Sequence, residues 1–267
     1  PEKVAQPAVT NAILKRHGFH MRKGLGQNFL TDSKILQKIV TAADLTPEDD
    51  VIEIGPGIGA LTQFLADSAH QVVALEIDDR LLPILDETLA DYPNAMVVNE
   101  DVLKTDLGAL VAEHFDGKHT LKVVANLPYY ITTPILLHLL RAQLPLHSMT
   151  VMMQKEVAER LSATPGSKEY GSLSIAVQLV ASVATAFTVS RHAFVPAPNV
   201  DSAIVTLTQR TEPLAALTDP ASFDRLVRGA FASRRKTLWN NLVVLFGKTN
   251  KAAIRSALTT AAIDPGT

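Results

Sequence analysis

Five short runs rich in β-branched and apolar residues, at 51–54, 72–75, 95–98, 121–125 and 149–153, alternate with helical stretches near 60–65, 79–90, 106–112 and 134–140. A strand followed by a helix of about ten residues cannot turn back as a hairpin. The helix carries the chain across the sheet, so the next strand enters parallel to the last. The alternation therefore predicts an α/β fold with a mostly parallel sheet covered on both faces. Ahead of it, Thr31-Asp32 caps a helix to about residue 43, with Ile35, Leu36, Ile39 and Val40 on one face. Thr133 followed by Pro134 reads as a further helix cap. An apolar-faced helix at 171–182 and a strand pair at 185–189 and 203–207 follow, the pair joined by the proline-bearing 193–200. Residues 211–220 shift to linker composition, and only helical signals lie beyond, at 223–231, 237–246 and 251–259. Three segments are expected: an N-terminal helix and arm (1–30), an α/β domain (31–210) and a small helical domain (211–267).

Composition narrows the class. With 47% hydrophobic and 19% charged residues the chain is neither disordered nor a coiled coil. Cysteine is absent, which excludes disulfides, thiolate nucleophiles, zinc fingers and iron–sulfur clusters and fits a reducing compartment. No apolar run has spanning character and the N-terminus shows no secretory h-region, so a cytoplasmic protein without a membrane partner is expected. The net charge of −2 conceals a strong asymmetry. Residues 1–30 carry five Lys/Arg against one acid, 31–220 twelve against twenty-four, and 221–267 eight against two. Basic ends around an acidic centre suit a surface that tracks phosphates.

Glu53-Ile54-Gly55-Pro56-Gly57-Ile58-Gly59 closes the first strand of the alternation in a glycine turn that opens a helix. The spacing G-x-G-x-G differs from the dinucleotide fingerprint, Pro56 lacks an N–H for a pyrophosphate, and no P-loop is present. A nucleoside-like ligand without a phosphate requirement fits better. Glu76 ends the second strand 17 residues after Gly59, where it can accept from two ribose hydroxyls, and Asp101 follows the third, where it can accept from an adenine amine. Asn126-Leu127-Pro128-Tyr129 follows the fourth. Its amide oxygen and the Leu127 carbonyl can accept from an exocyclic amine while the tyrosine ring stacks on the base.

These motifs, with Gln27-Asn28-Phe29-Leu30 and Phe194-Val195-Pro196-Ala197-Pro198-Asn199-Val200-Asp201-Ser202, resemble the rRNA adenine N6,N6-dimethyltransferases from about residue 12 onward. These are the bacterial small-subunit enzymes whose loss confers kasugamycin resistance; their wider family includes the erythromycin-resistance methylases of large-subunit rRNA and mitochondrial transcription-factor relatives. The resemblance implies a class I methyltransferase, a Rossmann-like seven-stranded sheet with an antiparallel edge strand, followed by a small all-helical domain. It implies S-adenosylmethionine as cofactor, leaving as S-adenosylhomocysteine, bound by Asn28, Leu30, Gly55, Gly57, Glu76, Asp101 and Asn126. Asn126, Leu127, Pro128 and Tyr129 would hold the target adenine, with Phe194 closing the other face of its ring. Family members usually run further than Thr267, so either a trimmed C-terminal end or a disordered tail beyond this sequence is expected.

The implied reaction is in-line methyl transfer to N6 of two adjacent adenines in the 3′-terminal hairpin loop of 16S rRNA, with a role in small-subunit assembly. Its partner is the small ribosomal subunit or its precursor, and the protein is expected to be monomeric. A 23S rRNA methylase of the macrolide-resistance type is the alternative within the family. A non-catalytic assembly or transcription factor retaining the cofactor pocket is the alternative of another class, and the intact Asn126–Tyr129 run weighs against it. Arg22, Lys23, Arg225, Arg228, Arg234, Arg235 and Lys236 are candidate RNA contacts, with Lys155, Arg160 and Lys168 as further candidates. Trp239, at helical spacing from leucines, reads as core. His114, His119, His138, His147 and His192 lack metal-ligand spacing and read as structural or surface residues, so no metal is expected.

Overall fold

The computed structural model describes residues 2–22, 25 and 27–267. In chain order the elements are α1 (Pro7–Arg16), β1 (Phe29–Leu30), α2 (Ser33–Ala42), β2 (Asp49–Ile54), α3 (Ala60–Ser68), β3 (Gln71–Leu75), α4 (Leu82–Thr88), β4 (Ala95–Val98), α5 (Leu107–His114) and β5 (Thr120–Asn126). They continue with α6 (Thr132–Arg141), β6 (Leu146–Gln154), α7 (Lys155–Ser162), α8 (Ser172–Gln178), β7 (Ala181–Val189), β8 (Phe194–Val195), β9 (Ser202–Gln209), α9 (Pro220–Ala230), α10 (Leu238–Phe246) and α11 (Lys251–Thr260).

Seven strands form one sheet in the order β4-β3-β2-β5-β6-β9-β7. From β4 to β6 every pairing is parallel; β9 runs antiparallel to both β6 and β7. The reversed strand is thus one in from the edge, because β7 turns back through residues 190–201 and β9 inserts between β7 and β6. Successive residues of β2 face opposite sides: Val51 joins a core with Leu36, Leu65 and Ile84 of α2, α3 and α4, while Ile52 joins one with Leu110, Leu136 and Leu161 of α5, α6 and α7. Burial on both faces is what the parallel sheet demands.

Several elements depart from the sequence reading. The helix expected over 171–182 stops at Gln178, whose amide donates to the carbonyls of Leu161 and Ala163, and β7 already begins at Ala181. The segment Lys155–Ser162, assigned to no element from the sequence, is a helix, α7, with Ala158 and Leu161 buried. Thr133 is not a cap: a short 3₁₀ turn at Tyr129–Ile131 leads into α6, so Pro134 is its third residue. Asp32 does cap α2, accepting from the backbone N–H groups of Lys34 and Ile35. The arm forms β1, paired antiparallel with β8, Phe29 opposite Val195 and Leu30 opposite Phe194.

After β9 the described chain holds only helices, which pack on one another through Leu242, Ile254 and Leu258, with Trp239 half-buried against them. They are tied back by Arg141 to Asp224 at 2.7 Å and by the Arg234 guanidinium donating to the Lys168 carbonyl.

Candidate active site

The strand order reverses between β2 and β5, so the loops that leave their carboxyl ends turn to opposite faces of the sheet and leave a crevice. One cleft lies there, lined by Asn28, Leu30, Gly55, Gly57, Glu76, Asp101, Asn126, Leu127, Pro128, Tyr129 and Phe194. Residues from six separate stretches of sequence meet in it. None of the basic candidates lines it: Arg22, Arg225, Arg228, Arg234, Arg235 and Lys236 are all exposed elsewhere, and Lys23 lies outside the described residues.

The glycine turn is shaped by backbone that other residues rarely adopt. Gly57 has φ +60°, and a Cβ on it would stand 3.1 Å from the Phe29 ring, so the arm closes on the turn only because that side chain is missing. Gly59, at φ +89°, begins α3 and would carry a Cβ 2.8 Å from the Thr88 hydroxyl.

Glu76 stands where β3 ends. It is buried, accepting from the Gly57 N–H at 3.2 Å on one oxygen and from the Asp78 N–H at 2.9 Å on the other. Burial pushes its carboxyl up to about 7, the two backbone donors holding it below a still higher value. Asp101 begins a 3₁₀ turn, accepting from the Leu103 N–H at 2.9 Å. Asp78 ties the arm down, bonding the Gln27 amide at 2.8 Å and Arg80 at 2.6 Å. Arg80 in turn donates to the His20 carbonyl and lies over the Phe19 ring.

On the opposite side, Asn126 ends β5 with its side-chain amide half-exposed to the cleft and without a hydrogen-bond partner among the described residues. Leu127 is buried, its N–H donating to the Met152 carbonyl at 3.3 Å. The Tyr129 hydroxyl is hydrogen-bonded to Ser202, and burial raises its pKa. Phe194 is buried on β8 at the cleft wall. A cleft that brings together an amide without a partner among the described residues, an anchored ring and a buried one has the groups that a planar base bearing an amine requires.

Two contributors were not singled out in the sequence. Ser202 fixes the ring that faces the cleft. Glu53, buried beneath the turn with the Thr62 hydroxyl as partner, has its carboxyl pushed up to about 8, chiefly by burial and further by the nearby Glu76 charge. An acid inside the apolar run 51–54, two residues before Gly55, was the signal for it. At the opposite end of the sheet, Asp50, His70 and His119 bring three possible metal donors within 4.8 Å of one another. The imidazoles stack in parallel at 3.7 Å; His70 bonds Asp50, and His119 bonds Asp116, which raises the His119 pKa.

The residues fit the adenosyl group of S-adenosylmethionine: a cradle that a Gly57 side chain would fill, a buried acceptor at the end of β3, and an acid at the end of β4. Fold and cleft define a class I S-adenosylmethionine-dependent methyltransferase. The family of ribosomal RNA adenine dimethylases matches residues 18–263, and the chain belongs to it. The chain is 60% identical over 268 residues to ribosomal RNA small subunit methyltransferase A of Latilactobacillus sakei, covering all of this chain and 90% of that protein. Identity is 57% to the protein of the same name from Lactiplantibacillus plantarum, with 98% and 89% covered. Among solved structures, a dimethyladenosine transferase from Plasmodium falciparum matches with a TM-score of 0.70 at 31% identity, covering 89% of this chain and 83% of that one. The 23S rRNA methyltransferase ErmE matches at 0.67 and 31%, with 90% and 92% covered. The activity is methylation of adenine N6 in ribosomal RNA.

Proposed function

We propose that the protein dimethylates N6 of two adjacent adenines in the 3′-terminal hairpin loop of 16S rRNA, acting on the small subunit or its precursor during assembly. Relatives named for the small subunit stand at 60% and 57% identity against 31% for the large-subunit enzyme, which supports the small-subunit substrate over the 23S alternative. The observation that carries the catalytic reading is the Asn126 amide, held at the end of β5 in the cleft with no hydrogen-bond partner among the described residues. A protein that only bound RNA would have no use for an amine-accepting amide set beside a methyl-donor cleft.

S-adenosylmethionine supplies an electrophilic methyl when bound. Glu76 would hold its ribose, Asp101 its adenine amine, and Asn28, Leu30, Gly55 and Gly57 would enclose it. The Asn126 oxygen and the Leu127 carbonyl would accept the two N6 hydrogens before the first transfer and the one that remains before the second, which favours a nitrogen lone pair out of conjugation with the ring. Pro128 fixes that carbonyl's direction, and Tyr129 and Phe194 replace the stacking lost when the base leaves its neighbours. The rate gain comes from orientation and placed acceptors, and the product nitrogen sheds its proton to water. Arg22, Lys23, Arg225, Arg228, Arg234, Arg235 and Lys236 track RNA phosphates outside the cleft, in a cytoplasmic monomer whose arm, α/β unit (31–210) and helical unit (211–267) act together.

Labelled methyl transfer to purified small subunits and to 23S rRNA, with mapping of the modified bases, tests this. Two adjacent dimethyladenines in the small-subunit RNA are expected; modification confined to 23S rRNA refutes the substrate.

A further inference from the structure

Asp78 and Arg80 do not line the cofactor cleft, yet two of its walls are bonded to them. On one side, the Asp78 N–H donates at 2.9 Å to Glu76, whose other oxygen accepts from the Gly57 N–H at 3.2 Å. On the other, the Asp78 carboxylate accepts from the Gln27 amide at 2.8 Å, and Gln27, Asn28, Phe29 and Leu30 of the arm line the cleft. The Gln27 oxygen accepts in turn from the Arg22 N–H at 3.0 Å, so the side chain that holds Asp78 also braces the arm.

Arg80 completes the connection. Its Nε and Nη2 fork onto the two Asp78 oxygens at 3.0 and 2.6 Å, and its Nη1 donates to the His20 carbonyl at 2.8 Å. The guanidinium carbon lies 4.6 Å from the centre of the Phe19 ring, which meets the Phe29 ring edge-on at 6.1 Å. Phe29 rests on the Gly57 turn. The contacts therefore run in a closed circuit from Gly57 through Glu76, Asp78, Arg80, Phe19 and Phe29 back to Gly57. The Asp78 side chain is only 1% exposed, so its charge depends on the arginine fork.

We propose that Asp78 and Arg80 are positioning residues for the methyl donor: they set the arm against Glu76 and the glycine turn, and so govern how tightly and how long S-adenosylmethionine is held. The inference rests on the cofactor assignment above. Standing outside the cleft, the pair acts on the donor only through Gln27–Leu30 and Glu76 and takes no part in methyl transfer. An arm released from it encloses the donor only part of the time, and apparent affinity falls by that fraction. The position calls for arginine rather than any cation. Two guanidinium nitrogens occupy Asp78 while the third holds the His20 carbonyl, a planar three-point geometry that a single ammonium does not reproduce.

The test compares the wild-type protein, Arg80→Gln and Arg80→Lys, with melting temperatures as the check on the fold. Calorimetry with S-adenosylmethionine and with S-adenosylhomocysteine gives affinity, and stopped-flow displacement gives the dissociation rate. Single-turnover transfer to ribosomal RNA at saturating donor isolates the chemical step. Arg80→Gln should bind both ligands roughly tenfold more weakly, chiefly through faster dissociation, with the single-turnover rate unchanged. Arg80→Lys keeps a charge beside Asp78 and decides the matter if Arg80→Gln loses stability: it should melt near wild type yet show most of the same loss of affinity. Wild-type affinity in Arg80→Lys would mean that the arginine merely neutralises Asp78, and would overturn the proposal. A slower single-turnover rate with unchanged donor affinity would overturn it as well. Wild-type protein that binds neither ligand would refute the cofactor assignment itself, whereas tight wild-type binding with no difference among the variants refutes the positioning role alone.

Discussion

Replacing Glu53 by glutamine should stabilise the ligand-free protein, by an amount that grows with pH. Glu53 is 1% exposed, and the Thr62 hydroxyl is the side-chain partner that holds it. The unfolded chain releases this proton near pH 4.5, whereas the folded chain keeps it to about pH 8. Between those values the folded state binds more protons, so stability falls as pH rises, by at most about 1.4 kcal/mol per pH unit for this group. Its contribution is complete below pH 4.5 and gone once pH passes about 8. By pH 7 the accumulated loss is about 3 kcal/mol. Glutamine has the shape of the neutral acid, can still bond Thr62, and never ionises. Urea unfolding of both proteins at pH 5, 6, 7 and 8 is the assay. The variant should be within about 1 kcal/mol of wild type at pH 5 and ahead by about 3 kcal/mol at pH 7, with equal m-values. A stability difference that stays constant over that range would show that Glu53 ionises in the fold as it does in water, and the burial argument would fail.

Glu76 reports through the cofactor. Its carboxyl titrates near 7 in the free protein and must be charged to accept two ribose hydroxyls, so S-adenosylmethionine should bind about tenfold more weakly for each pH unit below 7 and evenly above it. Calorimetry across that range checks the trend, and pH-independent affinity contradicts it. Asn126→Ala should lower kcat at least about 100-fold with little change in cofactor affinity or melting temperature, because the amide acts in the transition state and supports no internal contact; near-wild-type turnover would remove it from the mechanism. In the helical segment, Arg234 already donates to the Lys168 carbonyl, so Arg235→Gln with Lys236→Gln should take most of that cluster's effect, lowering the RNA salt slope by up to about two. A third step on adding Arg234→Gln, with the fold intact, would show that Arg234 also reaches phosphate.

The alternation of strands and helices was legible because each buried strand is a continuous apolar run bounded by turn residues. The positions of Glu76, Asp101 and Asn126 were legible for a related reason: Glu76 directly follows its strand, Asn126 ends its own, Asp101 comes three residues after β4, and the carboxyl ends of parallel strands all point to one side. What escaped depended on long-range packing. The helical character of α7 rests on two buried residues, Ala158 and Leu161, in an otherwise polar segment, too few to set a period. The pairing of β1 with β8 joins residues more than 160 positions apart through two residues each, and no local propensity announces it. The early end of α8 is set by Gln178 capping carbonyls of the preceding segment, which a linear reading treats as one more polar residue.

That small ribbon bears on how the cleft is assembled. A two-stranded pair of this length is not stable alone. It is held by the Thr31 N–H donating to the Ala193 carbonyl at 3.0 Å and by the burial of Phe29 and Phe194. Phe29 presses on the Gly57 turn, and Leu30 stands opposite Phe194. The strand that closes the glycine turn is therefore bonded to the strand that carries the far wall of the adenine side. A shift of the arm by one residue would turn Phe29 away from Gly57 and Leu30 away from the cleft, and the bonds to residues 193–195 resist that slip. The two halves of the cleft are thus set against each other by backbone pairing, which holds a methyl donor and an acceptor amine at a fixed separation more tightly than two independently hinged loops would.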